Sequence, residues 1–267
     1  MLTPDELRHS QNSQALTSGA QAQSPGLCIM GTESGCGKTV VMTGIAHILN
    51  RSMTVRAVKP ICSGPREKAE AEISFISSIS GTPRGYAFSY SQPVPALARL
   101  SRRQWQTGLS TVLSSLEITF VECFQGAASP VFIEEEDETQ TVLDSMEFAV
   151  RLGFPLLLVA KHKEDAPEKL IYCAGLARSR GLDPIASVTV ETLSAEGKDL
   201  ENKYSRQEVE HTILMRTKAP YLGCIKHSPS INVHRANQGN LVKMTEGGLD
   251  LLTLYREMER RGISLNI

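Results

Sequence analysis

The sequence predicts an α/β fold in three layers, with a mostly parallel central sheet and helices on both faces. Short apolar runs alternate with segments of helical spacing along the chain, the pattern of strands joined by helical crossovers. One run, Pro155-Leu156-Leu157-Leu158-Val159-Ala160, is apolar without alternation, as a strand covered on both faces must be. Near the start, an apolar run stops at a glycine-studded loop that leads into a helical pattern.

That loop organises the rest. Leu27-Cys28-Ile29-Met30 runs into Gly31-Thr32-Glu33-Ser34-Gly35-Cys36-Gly37-Lys38-Thr39, and Val40, Val41, Ile45, Ala46, Ile48 and Leu49 follow at helical spacing. Strand, glycine loop and helix in this order make a phosphate-binding loop. Glycines let successive backbone N–H groups turn inward, and the helix adds its positive dipole end. The expected nucleotide-binding residues are Glu33, Ser34, Gly35, Cys36, Gly37, Lys38 and Thr39. Lys38 reaches the β/γ-phosphates as a point charge, and the Thr39 hydroxyl is placed to ligate Mg²⁺. Five residues separate Gly31 from Gly37, where the common spacing has four, and Thr32 takes the usual glycine place. A glycine-rich turn with an incidental lysine is the alternative, and it leaves the flanking strand and helix unexplained. The loop predicts binding of a nucleoside triphosphate and the P-loop NTPase form of the fold.

The other elements follow in chain order. Val55-Arg56-Ala57-Val58 reads as a strand running into the loop Lys59-Pro60-Ile61-Cys62-Ser63-Gly64. The charged stretch Glu67 to Glu72 opens a helix continuing through Ile73 to Ile79. Leu109 to Phe124 has helical apolar spacing. Val131-Phe132-Ile133 reads as a short buried strand ending in the acidic run Glu134 to Glu138. Met146 to Leu152 is helical, and so is Pro167 to Arg180, with Gly181 as its stop. Ile185 to Val190 and Tyr221 to Ile225 are strands on either side of a helix from about Arg206 to Arg216. A last helix covers about Gly248 to Arg261.

At 267 residues, 41% hydrophobic and 21% charged, the chain has the make-up of an ordinary globular protein. Met1 to Ser24 is rich in Gln, Ser, Ala and Thr and reads as a disordered polar extension, since it cannot bury enough surface to offset ordering entropy. Residues 25–267 read as one domain. A formal net charge of −1 gives no case for a nucleic-acid or membrane-surface partner, and the apolar runs are too short to span a bilayer. The six cysteines are scattered, with neither two-residue spacing nor nearby His pairs, so neither a zinc site nor a disulfide framework is expected. With no secretory signal read at the N-terminus, the expected compartment is the cytoplasm.

Ligands in such sheets sit beyond the carboxyl ends of the strands. The loops at Gly31–Thr39, Lys59–Gly64, Glu134–Glu138 and Lys161–Asp165 are therefore expected on one rim. Lys59 would supply a second cation beside Lys38, or from spacing alone be a solvated surface lysine. Glu72, or Glu70, and Glu134 are candidate Mg²⁺ carboxylates, the last because it ends a strand. Ser63 offers a hydroxyl to an anion.

In the order of these pieces the chain resembles the dethiobiotin synthetase family. That family's loop reads Gly-Thr-Asp-Thr-Gly-Val-Gly-Lys-Thr, matched by Gly31 to Thr39, and its Lys-Pro-x-x-Ser-Gly is matched by Lys59 to Gly64. A Tyr-x-Phe segment leading to a Pro-rich stretch looks like Tyr86 through Arg99, and Pro-x-Leu-Gly-x-Ile looks like Pro220 to Ile225. The resemblance implies an ATP- and Mg²⁺-dependent ligase that carboxylates 7,8-diaminononanoate with CO₂, phosphorylates the carbamate and closes a ureido ring. It implies that Lys38 and Lys59 are catalytic, that Ser63 contacts substrate, and that Thr39, Glu72 and Glu134 hold the metal. It also implies a homodimer. The family follows its strand-end acid with Gly-Ala-Gly-Gly, whereas Glu134 precedes four more acids. The family's adenine-reading Asn has no match at the strand ending Val190-Glu191, and Lys226 stands where the family has Pro. A second reading is therefore a nucleotide-binding relative with a regulatory or partner-binding role. A third is a related amide-forming ligase, against which stands the lack of any segment reading as a glutamine-amidotransferase.

Overall fold

The structure, a computed structural model, describes residues 25–63, 65–83, 91–92, 98–115, 117–134, 140–192 and 204–265. The extension read over 1–24, the acidic run 135–138 and the Tyr-x-Phe segment 86–88 lie outside these residues.

Six parallel strands form the central sheet. They are β1 (Gly26–Gly31), β2 (Val55–Val58), β6 (Ile118–Glu122), β9 (Leu156–Lys161), β10 (Pro184–Val190) and β11 (Tyr221–Ile225), in the spatial order β11-β10-β9-β1-β6-β2. On one side of β1 the chain first lays down the edge strand β2 and then inserts β6 between them; on the other it builds outward through β9, β10 and β11. β1 is thus the point where the strand order reverses, the usual seat of a ligand crevice.

Alternation along β1 shows why both faces need helices. Leu27 and Ile29 join one buried cluster, while Cys28 and Met30 join the other. Burying each such side chain contributes about 1.5–3 kcal/mol. The first face is covered by α1 (Lys38–Leu49), α2 (Arg66–Ser80), α7 (Leu241–Gly248) and α8 (Leu251–Arg260). The second is covered by α3 (Arg102–Leu113), α4 (Ser145–Leu152), α5 (Ala166–Ser179) and α6 (Arg206–Thr217). Trp105, Phe124 and Phe148 pack there edge to face, with centroids 5.1–6.2 Å apart, each pair adding about 0.5–1.5 kcal/mol beyond its buried area.

Two expectations are corrected. The apolar spacing of Leu109 to Phe124 covers two elements: helix α3 ends at Leu113, and β6 is a central strand. A short apolar run of β-branched and aromatic residues fits a buried strand as well as a helix, and periodicity does not separate them. The strand at Val131–Ile133 exists as part of β7 (Pro130–Glu134), but it lies outside the central sheet. It pairs parallel with β5 (Ala98–Ser101) and antiparallel with β8 (Gln140–Asp144). The last helix falls where it is expected, as α8 (Leu251–Arg260), started by the Asp250 carboxylate accepting from the Thr253 N–H; Leu249, which bridges to Gly223, separates it from α7. Two residues, β3 (Cys62–Ser63), pair with β4 (Ser91–Gln92).

Candidate nucleotide and metal site

The phosphate loop joins the end of β1 to α1, with the Thr32 N–H donating to the Val159 carbonyl at 2.9 Å. Gly35 and Gly37 have φ of 68° and 98°, the left-handed region that L side chains avoid. Gly37 is also pressed against the next strand but one. A Cβ there would lie 2.8 Å from the Val190 side chain. The loop therefore needs glycine at Gly37 for two independent reasons.

Behind the loop stands Glu122, at the end of β6. Its Oε2 accepts from the Thr39 hydroxyl at 2.7 Å, and its Oε1 pairs with Lys59 Nζ at 2.8 Å. Lys59 reaches a second carboxylate, Glu72, at 2.7 Å. All three are nearly buried, with side-chain exposures of 3%, 10% and 15% for Glu122, Lys59 and Glu72. Burial alone pulls the Lys59 ammonium down, but the Glu122 and Glu72 carboxylates outweigh it and hold it well above the ordinary lysine value. Lys59 is therefore a fixed positive charge, not a solvated surface lysine.

Lys38 Nζ donates to the backbone carbonyl of Gln125 at 2.5 Å. Gln125 has φ 48°, in the left-handed region, and the residues after it press on the phosphate loop. Ala127 N–H donates to the Gly31 carbonyl at 2.8 Å, and a Cβ on Gly126 would lie 2.9 Å from Glu33 Cα. The loop following β6 thus supplies one wall of the site.

Lys38, Thr39, Lys59, Glu72, Glu122 and Gln125 line a cleft of about 530 Å³, together with Ser34, Gly35, Gly37 and His234. That is the volume range of a small-molecule site. A hydroxyl and two carboxylates facing one cleft are hard oxygen donors, the set that suits Mg²⁺. The residues present fit that ion.

The remaining expected residues fall elsewhere. Glu33 turns from the cleft and pairs with Lys169 at 2.8 Å and Lys161 at 3.2 Å. Partial burial opposes its ionisation, but the two lysines prevail and hold its carboxyl below the usual value. Cys36 is buried in the apolar cluster of the first face. Glu70, the alternative to Glu72, pairs with Arg66 on the exposed side of α2. Ser63 belongs to β3, with its backbone paired to β4. Glu134 closes β7 in the three-stranded sheet, so the strand-end carboxylate beside Thr39 is Glu122 instead. The segment following that carboxylate is Cys123-Phe124-Gln125-Gly126-Ala127, not the acidic run. Glu122 had a signal in the sequence, an acid closing the apolar run Ile118 to Val121. Gln125 and His234 had none.

The profile of an AAA domain family matches residues 25–235. No curated protein sequence matches the chain. Among solved structures, the chain is similar to the septum site-determining protein MinD complexed with Mg-ADP from Pyrococcus horikoshii, at 11% identity and a TM-score of 0.52, covering 89% of this chain and 96% of that one. It is also similar to the MinC:MinD cell division protein complex of Aquifex aeolicus, at 11% identity and a TM-score of 0.51, covering 91% and 98%. At that identity the likeness speaks to the fold alone. With its phosphate loop seated at the centre of a parallel sheet, the chain is a P-loop nucleotide-binding protein and belongs to the AAA domain family that contains dethiobiotin synthetase.

Proposed function

We propose that the protein is an ATP- and Mg²⁺-dependent ligase that forms dethiobiotin from 7,8-diaminononanoate and CO₂. The observation that supports this most is Lys59, a buried ammonium held between Glu72 and Glu122 one carboxylate away from Thr39. A P-loop protein that only cleaves or senses nucleotide needs the loop lysine. A second fixed cation on the facing wall suits a reaction in which two anions, a phosphoryl group and a carbamate, must meet.

On this reading one amine of the diamine attacks CO₂ and releases a proton to give a carbamate. A carbamate oxygen then takes the γ-phosphoryl of ATP as the bond to ADP breaks. The second amine attacks the carbamoyl carbon, and phosphate leaves as the ring closes. Lys38 leaves the Gln125 carbonyl for the phosphates, and Lys59 neutralises the carbamate facing them. Thr39, Glu72 and Glu122 would hold Mg²⁺, which when bound neutralises phosphate charge. Ser63 is assigned to substrate contact, and the active form to a homodimer.

Phosphate release from Mg²⁺-ATP tests the reading. Release is expected only with both 7,8-diaminononanoate and bicarbonate present, and none is expected from Lys38→Ala. Nucleotide binding without diamine-dependent release would overturn the ligase reading and favour a regulatory nucleotide-binding role. One observation points that way: Phe124 and Gln125 follow the strand-end acid where dethiobiotin synthetases have glycines, so side chains crowd the wall on which substrate would lie.

A further inference from the structure

At the other end of the sheet, three strands deliver His162, Glu191 and Cys224 to one place. His162 directly follows β9, Glu191 directly follows β10, and Cys224 lies near the end of β11. The ladder pairs Val190 with Lys161 and Thr189 with Cys224, which holds these ends level. The ligand atoms that the three side chains offer lie within 4.8 Å of one another.

We propose that His162, Glu191 and Cys224 form a binding site for a thiophilic divalent cation, zinc in the first instance. Imidazole, carboxylate and thiolate together are the donors of zinc, whereas Mg²⁺ and Ca²⁺ take oxygen alone. Donor atoms around tetrahedral zinc stand about 3.3–3.8 Å apart, given bonds of about 2.0–2.3 Å, so small side-chain rotations close the site. The supporting contacts are in place. His162 Nδ1 is 2.8 Å from Thr189 Oγ1, which is 2.6 Å from the Tyr221 hydroxyl, and the Glu191 Oε2 accepts from the His227 N–H at 3.0 Å. Such partners fix a ligand's orientation before the metal arrives.

Lys226 fills the role of cation in the metal's place, with Nζ 2.8 Å from Glu191 Oε1. Its side chain is 43% exposed, so it swings to solvent when a doubly charged ion displaces it. The cluster borders a cavity of about 170 Å³ lined by His162, Tyr204, Arg206, Tyr221, Cys224 and Lys226. Three protein ligands leave one tetrahedral position for a water or a small anion. The expectation that scattered cysteines make no zinc site counts spacing along the chain, whereas these three side chains meet across strands.

Zinc titrated into the full chain against a chromophoric chelator, with Mg²⁺ in excess, tests the site. One equivalent is expected to bind, with affinity falling about 100-fold in Cys224→Ser and at least about tenfold in His162→Gln. Cobalt in place of zinc should give a thiolate-to-metal absorption band that Cys224→Ser abolishes. Lys226→Met should bind zinc more tightly, because it removes the competing ammonium, and a misfolded variant cannot mimic that gain. Circular dichroism checks the folding of each variant. Failure to bind zinc, zinc bound equally by Cys224→Ser, or a cobalt complex with no thiolate band would each overturn the proposal. None of these outcomes depends on the nucleotide reading.

Discussion

The two ends of the sheet's rim are built on one backbone plan and carry opposite chemistry. Beyond β1, β6 and β2 stand Lys38, Thr39, Lys59, Glu72 and Glu122: hard, charged groups, most of them already paired within the protein. Beyond β9, β10 and β11 stand His162, Thr189, Cys224 and Tyr221, with an ion pair between Glu191 and Lys226 beside them. There burial lifts the Cys224 thiol to about 11 and the Tyr221 phenol above its ordinary value. The same strand geometry serves either purpose because it fixes only where side chains emerge. What they do follows from which atoms they bring.

Breaking the charged end should have the largest effect. Glu122→Ala leaves the buried Lys59 ammonium with Glu72 alone and frees Thr39; removing one partner of a buried pair costs about 3–5 kcal/mol, and the remaining carboxylate puts the loss at the lower end. Denaturant unfolding should show that loss, and Glu122→Gln should recover part of it by keeping the hydrogen bond to Thr39. Lys38→Ala comes next. It should weaken Mg²⁺-ATP binding at least about 100-fold, or about 2.7 kcal/mol, in a calorimetric titration, while leaving zinc binding at the other end unchanged.

The two ends touch where Gly37 meets Val190, so Gly37→Ala probes their junction. A left-handed φ and a 2.8 Å approach both oppose the added methyl. A stability loss of about 1–2 kcal/mol is expected from thermal melts. Glu33 is the other tie, reaching from the phosphate loop to Lys161 and Lys169. Its carboxyl is held below the ordinary glutamate range by the two lysines, so its contribution is present above the unfolded value and lost as pH falls through the lower folded value. Glu33→Gln should therefore cost about 0.5–1 kcal/mol near neutrality, and its stability curve should merge with that of the parent chain in acid.

Much of the fold is legible without coordinates. Tyr221 to Ile225 and Val55 to Val58 are strands with the bounds their apolar runs suggest, and Leu156 to Lys161 is the central strand its unbroken apolar run demands. The phosphate loop reads off directly because its function depends on neighbours in the chain. Each glycine, the lysine and the threonine act through local backbone geometry. The helix expected over Leu109 to Phe124 and the metal carboxylate expected at Glu134 share one cause, the apolar run before Glu122 taken for helix. Once that run is a strand, Glu122 falls opposite Ile29 in the ladder and behind Thr39.

The sequence by itself determined the alternation of strands and helices, the loop that binds phosphate, and the class of ligand it takes, because periodicity and short spacing encode local conformation. Only the tertiary structure decided that Glu122 joins Thr39 to Lys59, that Glu72 rather than Glu70 faces them, and that His162, Glu191 and Cys224 share one corner. Those meetings depend on strand order and register, which are set by the packing of the whole core and leave no mark in the distance between residues along the chain.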